Sequence, residues 1–119
     1  MNTLDKYFEI ASSQIEQTVG LGEIEPLFVE VLEFIQNHPE KHKDFEHQFV
    51  LALEEGLAPW ELIQFCMRVL QWESIRESAL ATYERSADFR IKSVMKDILA
   101  VYEPTWEDED LYKYFRVQS

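Results

Sequence analysis

Residues 57–83 read LAPWELIQFCMRVLQWESIRESALATY, and their pattern decides the fold. At 3.6 residues per turn, Glu61, Gln64, Arg68 and Gln71 fall within an arc of about 80°. Trp60, Leu62, Ile63, Phe65, Cys66, Met67, Val69 and Leu70 occupy the remainder. An apolar arc that wide belongs to a helix packed on several sides. Beyond Trp72 the apolar face shifts to Ile75, Ser78, Ala79, Thr82 and Tyr83. That shift predicts a bend near 71–74 rather than a kink in one long helix. The small residues of the new stripe permit close helix approach.

Working outward, Ala58-Pro59 opens the central helix and Gly56 closes the one before it, expected from about residue 40 to 55. That helix buries Phe45, Phe49, Ala52 and Leu53. Asn37-His38-Pro39 separates it from a second helix starting at Glu25-Pro26, with Leu27, Phe28, Val31, Leu32, Phe34 and Ile35 inward and Glu30 and Glu33 outward. Asn2 or Thr3 caps a first helix running to about Val19, with Leu4, Tyr7, Phe8, Ala11, Ile15 and Val19 as its stripe. On the other side, Ser86 or Asp88 caps a helix reaching about Tyr102. Ile91, Val94, Met95 and Ile98 point inward on it, and Arg90, Lys92 and Lys96 outward. Thr105 with Asp108 caps a short last helix carrying Trp106, Leu111, Tyr112 and Phe115. The expected fold is all-α: one domain over residues 1–119, a bundle of five to seven helices centred on the pair at about 59–85. Trp60, Ile63, Phe65, Cys66, Met67, Val69 and Leu70 should lie in or near its core.

Composition narrows the function classes. No apolar run approaches the roughly 20 residues of a membrane span. The start MNTLDKYFEIA lacks the basic-then-apolar pattern of a secretory signal. The single cysteine cannot form an internal disulfide. These features indicate a soluble cytoplasmic protein. Twenty-three acids against eleven bases give a net charge of −12, which disfavours nucleic acid and anionic membrane as partners and favours a basic protein. The charge is concentrated at the front: residues 1–58 hold twelve acids and three bases.

Catalytic and cofactor signatures are weak. His38, His42 and His47 lie close in sequence, but Pro39 places His38 before the helix, and His42 and His47 are about 140° apart on it. The expectation is no bound metal and no cofactor. Cys66 has no thiolate-stabilising neighbour in its segment and reads as a buried hydrophobe. Without a Gly-rich phosphate loop, a Ser-His-Asp arrangement or a CxxC pair, an enzyme is not expected.

The stretch 103–115, EPTWEDEDLYKYF, interleaves acids with aromatics. Trp106, Glu107, Asp108, Glu109, Asp110 and Tyr112 suit a basic partner, the rings as anchors and the acids for steering, with Glu30 and Glu33 as a second acidic face. A C-terminal helix whose rings dock on the bundle while its acids face water fits the same residues, and both can hold together. In length, charge, helical content and acidic-aromatic end, the chain resembles the immunity proteins of bacterial toxin systems, including contact-dependent growth inhibition. The resemblance implies that it binds and neutralises a cognate basic toxin domain, often a nuclease. The alternative is a non-catalytic helical interaction or regulatory module with an apolar groove between helices.

Overall fold

The computed structural model describes residues 3–17 and 20–118. Seven α-helices and no strand occur among them: α1 Leu4–Gln17, α2 Leu21–Gln36, α3 His42–Glu55, α4 Trp60–Leu70, α5 Glu73–Arg85, α6 Phe89–Ala100 and α7 Lys113–Gln118. Short 3-10 segments at Pro39–Lys41 and Glu107–Leu111 precede α3 and α7. The chain is an all-α bundle, as the periodicity requires.

Most boundaries follow local chemistry. Thr3 Oγ1 accepts from the Lys6 amide at 3.3 Å, capping α1; the readings of Asn2 as a cap and of Val19 as the stripe's last residue lie outside the described residues. Gly56 closes α3 at φ 70, a left-handed conformation that glycine adopts without a Cβ penalty. The Leu57 amide then reaches back to the Ala52 carbonyl at 3.0 Å. Asp88, one of the two expected caps, starts α6 by accepting from the Arg90 amide at 2.8 Å.

Two boundaries differ from expectation. α2 starts at Leu21, four residues before Glu25, because the extended Gly20 serves as its N-cap. Pro26 therefore stands inside α2 and cannot donate to the Gly22 carbonyl, a lost bond that water can replace at the exposed Gly22. The last helix is not capped by Thr105. A 3-10 turn forms first at Glu107, and α7 starts only after Tyr112.

α4 is the centre. It packs against α2, α3 and α6, and Leu62, Ile63, Phe65, Cys66 and Met67 are buried on it. Val69 and Leu70 are partly buried against the same core. Trp60 departs from its expected core position: it is 37% exposed at the helix start, where α4 has not yet passed beneath its neighbours. Ile91 is likewise exposed, in the first turn of α6, while Met95 and Ile98 are buried. α5 has its main packing elsewhere than on α4. It turns away and lies on α3 and α6, burying Ile75 and Ala79.

The bend between α4 and α5 is a full break. Gln71 takes φ 52, a positive value costly for a residue with a Cβ. Its side chain compensates: Nε2 donates to the Met67 carbonyl at 2.8 Å and to the Val101 carbonyl at 2.9 Å. Gln71→Ala keeps the strained backbone and loses those bonds, so it should cost about 1–3 kcal/mol in urea denaturation. Gln71→Gly relieves the strain and should cost about 1 kcal/mol less than Ala. Ile63→Ala, at a fully buried site, should cost about 2–5 kcal/mol.

Candidate functional site

The polar arc of α4 faces the chain's own C-terminal third. A helix leaves its last carbonyls without intrahelical donors, and α4 supplies donors to the end of α6. Gln64 Nε2 reaches the Asp97 carbonyl at 2.7 Å. Arg68 spreads its guanidinium over four acceptors: the carbonyls of Val101 (2.8 Å), Glu103 (2.7 Å) and Pro104 (3.2 Å), and Glu109 Oε2 at 2.5 Å. Residues 101–109 thus wrap around one cation that is itself largely buried.

The segment that follows is tied down from α2. Glu25 Oε1 accepts from the Lys113 amide at 3.0 Å and Oε2 from the Tyr114 amide at 2.8 Å. A carboxylate from a neighbouring helix therefore satisfies the first donors of α7 and sits at its positive end. Between the two ties, aromatic rings close over α2 and α4. Phe65 lies 5.1 Å from Tyr112, 5.5 Å from Tyr114, 5.2 Å from Phe115 and 5.7 Å from Phe28. Trp106 stacks on Tyr112 at 6.0 Å.

Of the two readings of this segment, the packing shows the docking of the rings: Trp106 and Tyr112 are 5% and 2% exposed. Burying rings of that size removes roughly 150–250 Å² each from water, worth about 4–6 kcal/mol apiece as an upper estimate. Repulsion between solvated carboxylates a few ångströms apart is only about 1 kcal/mol. The rings therefore dock and carry the acids to the surface with them. Glu107, Asp108 and Asp110 are exposed there, and Glu109 is half-buried against Arg68.

Apolar surface still borders these acids, supplied by residues the sequence had placed elsewhere. Trp60 and Leu111, 37% and 57% exposed, line a depression of about 260 Å³ together with Glu61, Gln64, Trp106, Asp108 and Tyr112. The Glu61 carboxyl is half-buried there, and burial pushes its pKa up. The Tyr112 phenol is held well above its ordinary range, first by burial and then by the carboxylates of Glu61, Glu25 and Asp108 around it. Negative potential converges on this depression. Glu30 and Glu33 stand exposed on α2 and do not line it.

The other constellations are placed as follows. His38 precedes the 3-10 segment and pairs with Glu40 at 3.2 Å. His42 packs on Trp72, 4.6 Å between rings, and pairs with Glu46 at 2.5 Å. Ser74 Oγ donates to the other oxygen of Glu46. The carboxylate stands between histidine and serine, and the group clamps α3 to the start of α5. Cys66 is fully buried, and burial pushes its thiol pKa up. No group of three metal-binding side chains converges among the described residues, and no described helix is long and apolar enough to cross a membrane. Comparison with protein-family models, curated proteins and solved structures gives no match.

Trp106→Ala should lower folding stability by about 3–5 kcal/mol in denaturant titration. Arg68→Met removes the donors to Glu109, Glu103 and Pro104 and one of the two to Val101, and should cost on the order of 3 kcal/mol. Glu61→Gln should act in the opposite direction. A carboxyl whose pKa is raised by folding favours the folded state least when ionised. Wild-type stability relative to the variant should therefore fall as pH rises through that raised pKa. The variant's Tm should exceed the wild type's at pH 7, and the gap should close below about pH 4, where the carboxyl is protonated in both states.

Proposed function

We propose that the protein is an immunity protein that binds and neutralises a cognate basic toxin domain, a nuclease foremost. One observation supports this reading above the others: a run of four acids, Glu107–Asp110, lies between two ties to the bundle, Arg68 to Glu109 and Glu25 to the Lys113 and Tyr114 amides. Fixing a charged surface before binding lowers the ordering cost of association. A nuclease must be positive where it grips phosphate, so a rigid acidic turn can occupy or border that groove. The net charge of −12, with Glu30 and Glu33 on a second acidic face, would steer the encounter at about 10⁸ M⁻¹s⁻¹ or faster.

The groove between α3, α5 and α6 favours a second reading. Leu53, Ile91, Val94 and Met95 line it, with Glu54, Glu55 and Asp88 also on its wall, and Phe89 is highly exposed at the start of α6. Such a groove suits a helical interaction module with an amphipathic partner.

The experiment is co-purification from the native source, with sequencing of the adjacent genes, followed by stopped-flow association with the partner recovered. A toxin partner whose association slows at least tenfold between low and physiological salt supports the immunity reading. Glu30→Lys with Glu33→Lys, and Asp108→Lys with Asp110→Lys, should each slow association without lowering Tm. A neighbourhood without a toxin gene, and no basic partner recovered, would contradict it.

A further inference from the structure

We propose that the depression between the start of α4 and the Glu107–Leu111 turn is a socket for one arginine side chain of a partner protein. Glu61 and Asp108 receive the guanidinium, and Trp60 and Leu111 receive its methylene stem. This inference rests on the immunity reading and deepens it by naming the partner's chemistry.

Size selects the occupant. At about 260 Å³ the depression is smaller than the roughly 300–1,000 Å³ of small-molecule sites and suits a single side chain. Its walls select the kind of side chain. Trp60 and Leu111 offer apolar area left uncovered at the surface, which suits a long methylene stem. An exposed indole beside two carboxylates suits a cation that stacks on aromatic rings and bonds carboxylates with paired donors. That is arginine rather than lysine, whose ammonium is compact and strongly hydrated.

The chain's own cations leave the position open. Among the described residues no ion pair forms to Glu61 or Asp108. Arg68, on the same helix as Glu61, is engaged by Glu109 and three carbonyls. The Glu61 carboxyl, raised by burial, and the Tyr112 phenol, raised in part by three surrounding carboxylates, both register negative charge held partly out of water with no neutralising partner. A guanidinium entering the depression would supply it.

The test uses the full chain, isotopically labelled for NMR, and the peptide acetyl-Gly-Arg-Gly-amide as probe. The control is the same peptide with citrulline, which keeps the shape of arginine and lacks its charge. The Trp60 indole N–H and the Leu111 amide should shift saturably with the arginine peptide and stay in place with citrulline. Glu61→Gln with Asp108→Asn should weaken the titration at least about tenfold, while Glu30→Gln with Glu33→Gln leaves it unchanged. The inference is overturned if citrulline produces the same shifts, if the arginine peptide shifts Glu30 and Glu33 as much as Asp108, or if the Glu61 and Asp108 variant titrates like wild type. A saturable socket in a protein without a toxin partner supports this inference and retires the immunity reading. A toxin complex whose affinity ignores Glu61→Gln and Asp108→Asn does the reverse.

Discussion

The guanidinium of Arg68 joins the two parts of the molecule. It projects from the central helix and gathers the carbonyls of Val101, Glu103 and Pro104 and the carboxylate of Glu109. The three carbonyls lie in the stretch where α6 has ended, and Glu109 stands in the 3-10 turn beyond it. Arginine suits the position because its planar fork presents donors in several directions from one charge. Neighbouring side chains on the same face extend the seam, with Gln64 reaching the Asp97 carbonyl and Gln71 the Val101 carbonyl. The acidic turn can therefore lie against the bundle, because the one carboxylate it turns inward meets a cation already in place.

This arrangement explains how a segment carrying four consecutive acids becomes an ordered part of the fold. Ring burial supplies the driving force through Tyr112, which meets Phe28 and Phe65, and Trp106, which packs on Tyr112 and Phe115. Glu25 then satisfies the donors at the start of α7 from across the interface. The outward consequence is a fixed row of Glu107, Asp108 and Asp110 beside the uncovered Trp60 and Leu111. Glu61 shares the depression with Asp108, and among the described residues no cation pairs with it, so its burial costs stability.

The helices were legible because their signals are local. Gly56, Pro59, Asp88 and the 3.6-residue spacing on α4 each act within one or two turns of chain. The break at residues 71–72 followed from the shift in apolar face, although the left-handed Gln71 that makes it could not be foreseen, since its support comes from Val101, thirty residues away. The candidate site was harder to read for the same reason. Trp106 and Tyr112 have the composition of a binding patch, and only the presence of Phe65 and Phe28 against Tyr112, with Trp106 packed on Tyr112 and Phe115, decides that they are core. Trp60 sits within an apolar arc, and only its place at the very start of α4 leaves it exposed. Arg68 was visible as one member of a polar arc. Its partners lie 33–41 residues away, beyond the reach of any spacing rule.

The central claim is that Arg68 holds the acidic C-terminal segment as a fixed part of the bundle. Amide hydrogen exchange resolved by residue tests it most directly. The amides of Tyr112, Lys113 and Tyr114 should exchange about 100-fold or more slowly than in an unstructured peptide. In Arg68→Met that protection should be lost selectively, while the amides of α1 and α3 keep theirs. Exchange of these three amides at unstructured rates in the wild-type protein, or protection in Arg68→Met equal to wild type, would contradict it.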